Sequence, residues 1–270
     1  MSNINENTKL LFFDIDGTLV NEEKIFPESA KEGIRLAREK GNLIFINTGR
    51  VKCNIEPSIL SAGFDGLVCG CGSNIVLFED GRETEILHKT ISMERCREIA
   101  LKCREFGMYS LFEYRDYTCI DKDNITEQAD KIIGYFKNNG YRFIDDINDP
   151  EFRFDKFAGW YYENSDIEGF KEFISEDFSY IDREGNFFEV EPKGYSKATG
   201  IKFILDYFKL PLHNAYVFGD GNNDLEMLRL VPNSIVPKAG SELALEAASF
   251  ITDDVMDDGI YKAMKHFELI

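Results

Sequence analysis

The sequence predicts an α/β fold with a parallel sheet, into which a smaller α+β domain is inserted. Three observations carry this. Short apolar runs alternate with amphipathic helical segments at both ends of the chain, the pattern of a parallel sheet covered on both faces. The middle of the chain changes to long helices separated by aromatic-rich alternating runs. Clusters of polar and acidic residues directly follow several of the apolar runs at the two ends, where open α/β sheets bind their ligands.

The first strand is read at Lys9–Phe13, running into Asp14-Ile15-Asp16-Gly17-Thr18. Ser29 is placed as the cap of a helix reaching Lys40, with Glu32 as its capping-box partner and Gly41 as its stop. Leu43–Ile46 is a second buried strand, ended by Asn47-Thr48-Gly49-Arg50. A helix at Ile55–Ser61 and a strand at Gly66–Cys69 follow, and then a hairpin across Glu79-Asp80-Gly81-Arg82. The rhythm resumes late in the chain. Helices are expected at Ser196–Phe208, Asn223–Leu230, Glu242–Ala248 and Gly259–Phe267, with strands at Ala215–Phe218, Ser234–Val236 and Phe250–Thr252. Between these ends lie helices at Met93–Phe106, Ile125–Asn138 and Ile167–Ile174, with alternating runs at 109–114 and 157–162. The expected division is therefore a core of residues 1–88 and 186–270 and an inserted domain of residues 89–185.

Composition narrows the function classes. The 270 residues hold 31 Lys+Arg against 49 Asp+Glu, a formal charge of −18, and no basic cluster suited to a nucleic-acid backbone. The polar start, MSNINENTKL, has no basic segment leading into an apolar run, and no apolar stretch reaches the ~18–20 residues of a membrane span. A cytoplasmic enzyme with neither nucleic acid nor membrane as partner is expected. The six cysteines (53, 69, 71, 96, 103, 119) lack paired zinc-ligand spacing and read as reduced, buried thiols.

Asp14 and Asp16 stand two apart, so in extended chain they project to one side, with Gly17 free to turn the chain away. Two confined carboxylates suit a hard cation or a nucleophile with an acid/base partner. Thr48-Gly49 offers a hydroxyl and backbone amides to a phosphate oxygen, and Gly219-Asp220-Gly221-Asn222-Asn223-Asp224 brings further carboxylates to a helix start. Asn222 and Asn223 are cap types for that start, or ligand-facing amides. Lys197 opens a helix and adds a cation among the acids. Each cluster alone also reads as turn or cap chemistry; what sets them apart is their shared placement after apolar runs.

These residues resemble the haloacid dehalogenase (HAD) superfamily, specifically the Cof-type phosphatases with a large cap. Asp14-Ile15-Asp16-Gly17-Thr18-Leu19 matches the first motif, Asp-x-Asp-Gly-Thr-Leu. Asn47-Thr48-Gly49-Arg50 resembles the second, with Asn47 where a small residue is usual; Gly194-Tyr195-Ser196-Lys197 resembles the third. Gly219–Asp224 with Met227 matches the fourth, Gly-Asp-x-x-Asn-Asp-x-x-Met, and Asp258-Gly259-Ile260 is similar to the family's Asp-Gly-Val. The resemblance implies a Rossmann-like core with an α+β cap that selects the substrate. It implies that Asp14 is the nucleophile and Asp16 the acid/base. Mg²⁺ would be held by Asp14, the backbone carbonyl of Asp16, Asp220 and Asp224, and the phosphoryl oxygens by Thr48, the Gly49 amide, Lys197 and Asn223. The expected substrate is a small phosphorylated metabolite, a sugar phosphate or nucleotide. A hexose-phosphate mutase is the alternative within the family. A non-catalytic sensor of a phosphorylated ligand is the alternative outside it, disfavoured because Asp14, Asp16 and Lys197 are all present.

Overall fold

The computed structural model describes residues 4–138, 140–183 and 185–270, with the side chains of 128, 129, 132 and 135–137 left aside. The chain forms two compact units: Met1–Arg50, Ile55–His88 and Tyr195–Ile270 make the first, and Val51–Asn54 with Lys89–Gly194 the second. The second unit thus extends beyond the expected limit at residue 185, because the strand after that point pairs with its neighbours in the inserted sheet. The short Val51–Asn54 segment joins it through the Cys53 amide, which donates to the Arg115 carbonyl at 2.9 Å.

The first unit is built on eight strands: β1 (Leu10–Phe13), β2 (Leu43–Asn47), β3 (Gly66–Cys69), β4 (Asn74–Glu79), β5 (Arg82–His88), β12 (Ala215–Phe218), β13 (Asn233–Pro237) and β14 (Phe250–Thr252). Their order is β14-β13-β12-β1-β2-β3-β4-β5, parallel from β14 to β3 and antiparallel beyond. Alternation along β1 explains why both faces are covered. Leu11 and Phe13 point into a core with Ile34, Ala37, Ala263 and Met264 of α1 (Glu28–Glu39) and α9 (Gly259–His266). Leu10 and Phe12 point the other way, against Ile201, Ile204, Leu228 and Ala244 of α6 (Lys197–Phe208), α7 (Leu225–Leu230) and α8 (Glu242–Ala247). A short α2 (Pro57–Leu60) adds Ile59 to the first of these cores. β4 and β5 meet at Asp80 and Gly81, with φ of 51° and 73°, the left-handed pair a two-residue hairpin needs.

Two helix starts differ from expectation. Pro27 rather than Ser29 caps α1: its extended ψ of 142° ends the preceding loop, and its carbonyl accepts from the Ala30 and Lys31 amides. Ser29 lies inside the helix, and its hydroxyl has no hydrogen-bond partner among the described residues. Asn222–Asp224 forms a single 3₁₀ turn before α7, so neither asparagine caps that helix.

The second unit is a six-stranded sheet ordered β10-β11-β9-β6-β7-β8. Its strands are β6 (Tyr109–Tyr114), β7 (Tyr117–Ile120), β8 (Phe143–Ile144), β9 (Lys156–Trp160), β10 (Phe178–Asp182) and β11 (Phe187–Pro192). Phe112, Phe157 and Phe188 on one face pack with Ile99 and Phe170 of α3 (Met93–Phe106) and α5 (Ile167–Ile174). Leu111, Ile120 and Trp160 on the other meet Ile133 of α4 (Glu127–Asn138). The aromatic runs are therefore core, as period-2 patterning requires. Among the described residues, no helix is long and apolar enough to cross a membrane.

Candidate active site

The site lies in the first unit, at the carboxyl ends of β1, β2 and β12. β1 is flanked by β12 and β2, where successive connections leave in opposite directions, the place open α/β sheets reserve for ligands. Asp14 follows β1 directly, and its amide donates to the Phe218 carbonyl at 2.9 Å, tying it to the end of β12. Phe218 is followed by Gly219 and Asp220, so the two acidic strand ends come together.

Lys197 joins them. It is 1% exposed, and its Nζ lies 2.6 Å from Asp14 Oδ1 and 2.6 Å from Asp224 Oδ1. Its place is fixed by its position at the start of α6, where Ser196 and Thr199 form a reciprocal capping box. The Asn47 amide donates to the Lys197 carbonyl at 3.2 Å from the end of β2. Asn47, unusual in its motif, thus holds the helix that carries the lysine, while its Oδ1 has no hydrogen-bond partner among the described residues.

Asp224 is fully buried. Its Oδ2 accepts from the Asp220 amide at 2.9 Å and the Gly221 amide at 3.0 Å, which tightens the Asn222–Asp224 turn. Asp220 is held by the Thr18 hydroxyl, which donates to Oδ1 at 2.9 Å. Gly17 makes that approach possible: φ is +81°, and a Cβ there would stand 2.3 Å from Asp220 Oδ2. Asp14, Asp220 and Asp224 each offer an oxygen within 4.8 Å of the others, a donor set suited to a hard divalent cation. Three carboxylates against one lysine leave the cluster short of positive charge, so a divalent ion fits its chemistry as well as its spacing.

Electrostatics follows from this packing. Burial pushes the Asp14 carboxyl up to about 7, with Asp224 adding to the rise and Lys197 opposing it. Burial likewise pushes Asp220 up to about 6 against the Thr18 bond. For Lys197, burial pulls downward, but the Asp14 and Asp224 charges outweigh it and hold the ammonium above its ordinary value.

Asp16 departs from the expected convergence with Asp14. Its side chain is exposed and faces Arg50 and Lys24: Arg50 Nε donates to Oδ2 at 2.8 Å and Nη2 to Oδ1 at 2.6 Å, while Lys24 Nζ also bonds Oδ1. Burial raises the Asp16 carboxyl, yet these two cations outweigh it and hold it below the ordinary range. Thr48 is buried at the end of β2, its Oγ1 accepting from the Arg50 amide at 3.2 Å, with Gly49 beside it. Asn223 is exposed in the turn before α7. Sequence reasoning missed Lys24 and Glu56, and did not single out Arg50 or Thr18. Arg50 and Thr18 stand inside the motifs; Lys24 reaches Asp16 only because the Asn21–Ile25 loop doubles back, which no spacing announces. All six cysteines are free thiols, five of them buried.

Comparison with known proteins agrees with this geometry. The family model for haloacid dehalogenase-like hydrolases matches residues 11–264. The chain is 27% identical to "Putative phosphatase YkrA" of Bacillus subtilis over 98% of this chain and 99% of that one. It is 24% identical to the 5-amino-6-(5-phospho-D-ribitylamino)uracil phosphatase YcsE of the same organism, over 97% and 96% of the two chains. Among solved structures, the HAD subclass IIB sugar phosphatase BT4131 superposes with a TM-score of 0.77 at 30% identity, over 97% of this chain and 100% of that one. A Geobacillus kaustophilus protein shares the fold, with a TM-score of 0.84 at 24% identity, over 97% and 100%. With a match running from the first strand into the last helix, the chain belongs to the haloacid dehalogenase-like hydrolases and is a phosphatase of their Cof-type branch.

Proposed function

We propose that this phosphatase hydrolyses small phosphorylated metabolites, sugar phosphates or nucleotides, with Mg²⁺ and through an aspartyl-phosphate intermediate. One observation carries the reading: the Asp14 carboxylate is buried between a fixed cation, Lys197, and the Asp220/Asp224 pair. An anionic nucleophile approaching a phosphate dianion is repelled unless positive charge is already in place. Lys197 supplies part of it, aided by the N-terminus of α6. Asp14, the Asp16 carbonyl, Asp220 and Asp224 would hold Mg²⁺, which when bound supplies the remaining charge neutralisation on the phosphoryl group.

In this reading an Asp14 oxygen forms the bond to phosphorus as the bond to the leaving oxygen breaks, and Asp16 gives that oxygen its proton. Asp16 then takes a proton from the water that hydrolyses the acyl phosphate, freeing Asp14. Thr48, the Gly49 amide, Lys197 and Asn223 hold the phosphoryl oxygens. The inserted unit, residues 89–185 in outline, acts as the cap that selects the substrate. The substrate class is supported by the two relatives named for their substrates, one acting on a phosphorylated ribitylamino compound and one on sugar phosphates.

The test is phosphate release from hexose and pentose phosphates, nucleotides and an aryl phosphate, with Mg²⁺ or with chelator, for wild type and Asp14→Asn. Release that needs Mg²⁺ and disappears in Asp14→Asn is expected. Release unaffected by chelator would remove the metal from the reading, and an active Asp14→Asn would remove the nucleophile. Isomerised hexose phosphate without release would replace hydrolysis by mutase chemistry.

A further inference from the structure

Each carboxylate of the acidic cluster has an oxygen already engaged by a donor of the chain. Asp14 Oδ1 and Asp224 Oδ1 each accept from Lys197 Nζ at 2.6 Å, and Asp224 Oδ2 accepts from the Asp220 and Gly221 amides. Asp220 is tied by a neutral side chain: the Thr18 hydroxyl donates to its Oδ1 at 2.9 Å. Thr18 is itself closely held. It is buried, in a tight turn where the Gly17 amide donates to the Val20 carbonyl and the Thr18, Leu19 and Val20 amides donate to the Ile15 carbonyl. It lines a small cavity whose walls include Phe218, Ile235, Val255 and Ile260. A β-branched side chain is stiff at χ1, so this packing fixes the direction in which the hydroxyl points. The Asp220 carboxylate is confined from the other side by Gly17, where a Cβ would stand 2.3 Å from Oδ2.

We infer that Thr18 is a positioning residue that presents Asp220 to the cation through a single oxygen, and so makes the site select Mg²⁺ over Ca²⁺. This rests on the reading that Asp14, Asp220 and Asp224 hold a divalent ion. A carboxylate that chelates with both oxygens must turn its plane to face the ion and give it a lone pair from each. With a hydroxyl bonded to Oδ1 and Gly17 against Oδ2, the plane of Asp220 is already set. Asp14 and Asp224 are constrained in the same sense by Lys197 and the two amides, so the cluster offers separate oxygens rather than chelating pairs. Mg²⁺ is small, demands a near-ideal octahedron and takes a few single oxygens with water completing the shell. Ca²⁺ is larger, takes more ligands in a flexible geometry and readily uses both oxygens of a carboxylate. Without the Thr18 hydroxyl, Asp220 is free to turn and chelate.

The ratio of the two affinities separates this role from a structural one, which would weaken both ions alike. Metal-free wild type, Thr18→Val and Thr18→Ser are titrated calorimetrically with Mg²⁺ and, separately, with Ca²⁺, with no substrate present. Valine has nearly the shape of threonine and lacks the hydroxyl. Hydrogen-bond partners of ligating carboxylates are worth about 10–100-fold in metal affinity, so Thr18→Val is expected to bind Mg²⁺ about tenfold more weakly. Its Ca²⁺ affinity is expected to fall much less, so that the preference for Mg²⁺ shrinks. Thr18→Ser keeps a donor for Oδ1 and is expected to recover most of the Mg²⁺ affinity. Equal losses for the two ions, an unchanged Mg²⁺ affinity in Thr18→Val, or a Thr18→Ser as weak as Thr18→Val would each overturn the inference. A wild type that binds neither ion would instead overturn the metal reading, and this inference with it. Should Thr18→Val fail to fold, as judged by its thermal melt in chelator, Thr18→Ala carries the same comparison against Thr18→Ser.

Discussion

Lys197→Met tests the electrostatics of the site most directly, because methionine approximates the lysine stem and removes only the charge. In the native protein that charge stands between two buried carboxylates, 2.6 Å from each. Removing one partner from a buried ion pair leaves an uncompensated charge at a cost of about 3–5 kcal/mol. Asp14 limits the damage, since burial already pushes its carboxyl up to about 7 and it can take a proton. Asp224 is fully buried, and its Oδ2 accepts from the Asp220 and Gly221 amides, which hold it in place. The expected loss is therefore at the lower end, about 3 kcal/mol. At roughly 2–4 °C per kcal/mol for a chain of this size, the melting midpoint without Mg²⁺ should fall by about 6–12 °C. Scanning calorimetry in chelator gives that number, and repeating it in Mg²⁺ gives a second one. With the lysine gone the three carboxylates keep their mutual repulsion, so Mg²⁺ should raise the variant's midpoint more than the wild type's. A variant melting within about 2 °C of wild type in chelator would refute the reasoning, for it would mean that the desolvation of the ions cancels their attraction.

Three further outcomes are expected from the same packing. Gly17→Ala places a Cβ 2.3 Å from Asp220 Oδ2 at a φ of +81°; it should cost about 1–3 kcal/mol and weaken Mg²⁺ binding measured by calorimetric titration. Phe157→Ala removes a fully buried ring in contact with Phe112, Phe154, Phe170, Phe178 and Phe188, and should destabilise the second unit by about 3–5 kcal/mol in urea titrations followed by Trp160 fluorescence. The Cys103 and Cys119 thiols are each pushed by burial up to about 12 and the Cys96 thiol up to about 11, so at pH 9 all three remain protonated. A thiol reagent at pH 9 should leave them unmodified in the native protein and react with all six cysteines in urea; modification of Cys103 in folded protein, located by peptide mapping, would refute this.

How much of this was legible in the sequence depends on whether the determinant is local. β1, β2 and β12 announce themselves as apolar runs because a central parallel strand is buried on both faces; the end of each run then marks the site. Asp14, Lys197 and Asp224, singled out from their motifs, are brought into contact by the fold. The second unit was harder. β11, Phe187–Pro192, alternates as Phe188 and Val190 against Glu189 and Glu191, and it lies between β10, the strand just before it, and β9, more than twenty residues earlier. A strand of that kind belongs to whichever sheet its partner occupies, so the expected boundary at 185 fell on the wrong side of it. α1 shows the same limit at short range: Ser29 and Glu32 have the spacing of a capping box, yet Pro27 supplies the first accepting carbonyl and Glu32 bonds Arg35 instead.

Asp16 shows where motif reading stops being sufficient. Two carboxylates spaced two apart can converge only while the chain stays extended, and Gly17 ends that extension with a left-handed turn. The turn that lets Asp220 approach the Asp14 side is the same turn that leaves Asp16 facing Arg50 and Lys24. One residue's backbone thus separates the two aspartates into different electrostatic surroundings. Asp14 is pushed upward by burial, while Asp16 is held low by two cations that outweigh its burial. Paired carboxylates take distinct chemical roles when their surroundings differ in this way. On the Asp16 side the difference is made by Lys24 and Arg50, of which only Arg50 belongs to any motif, and they come together solely through the folded chain.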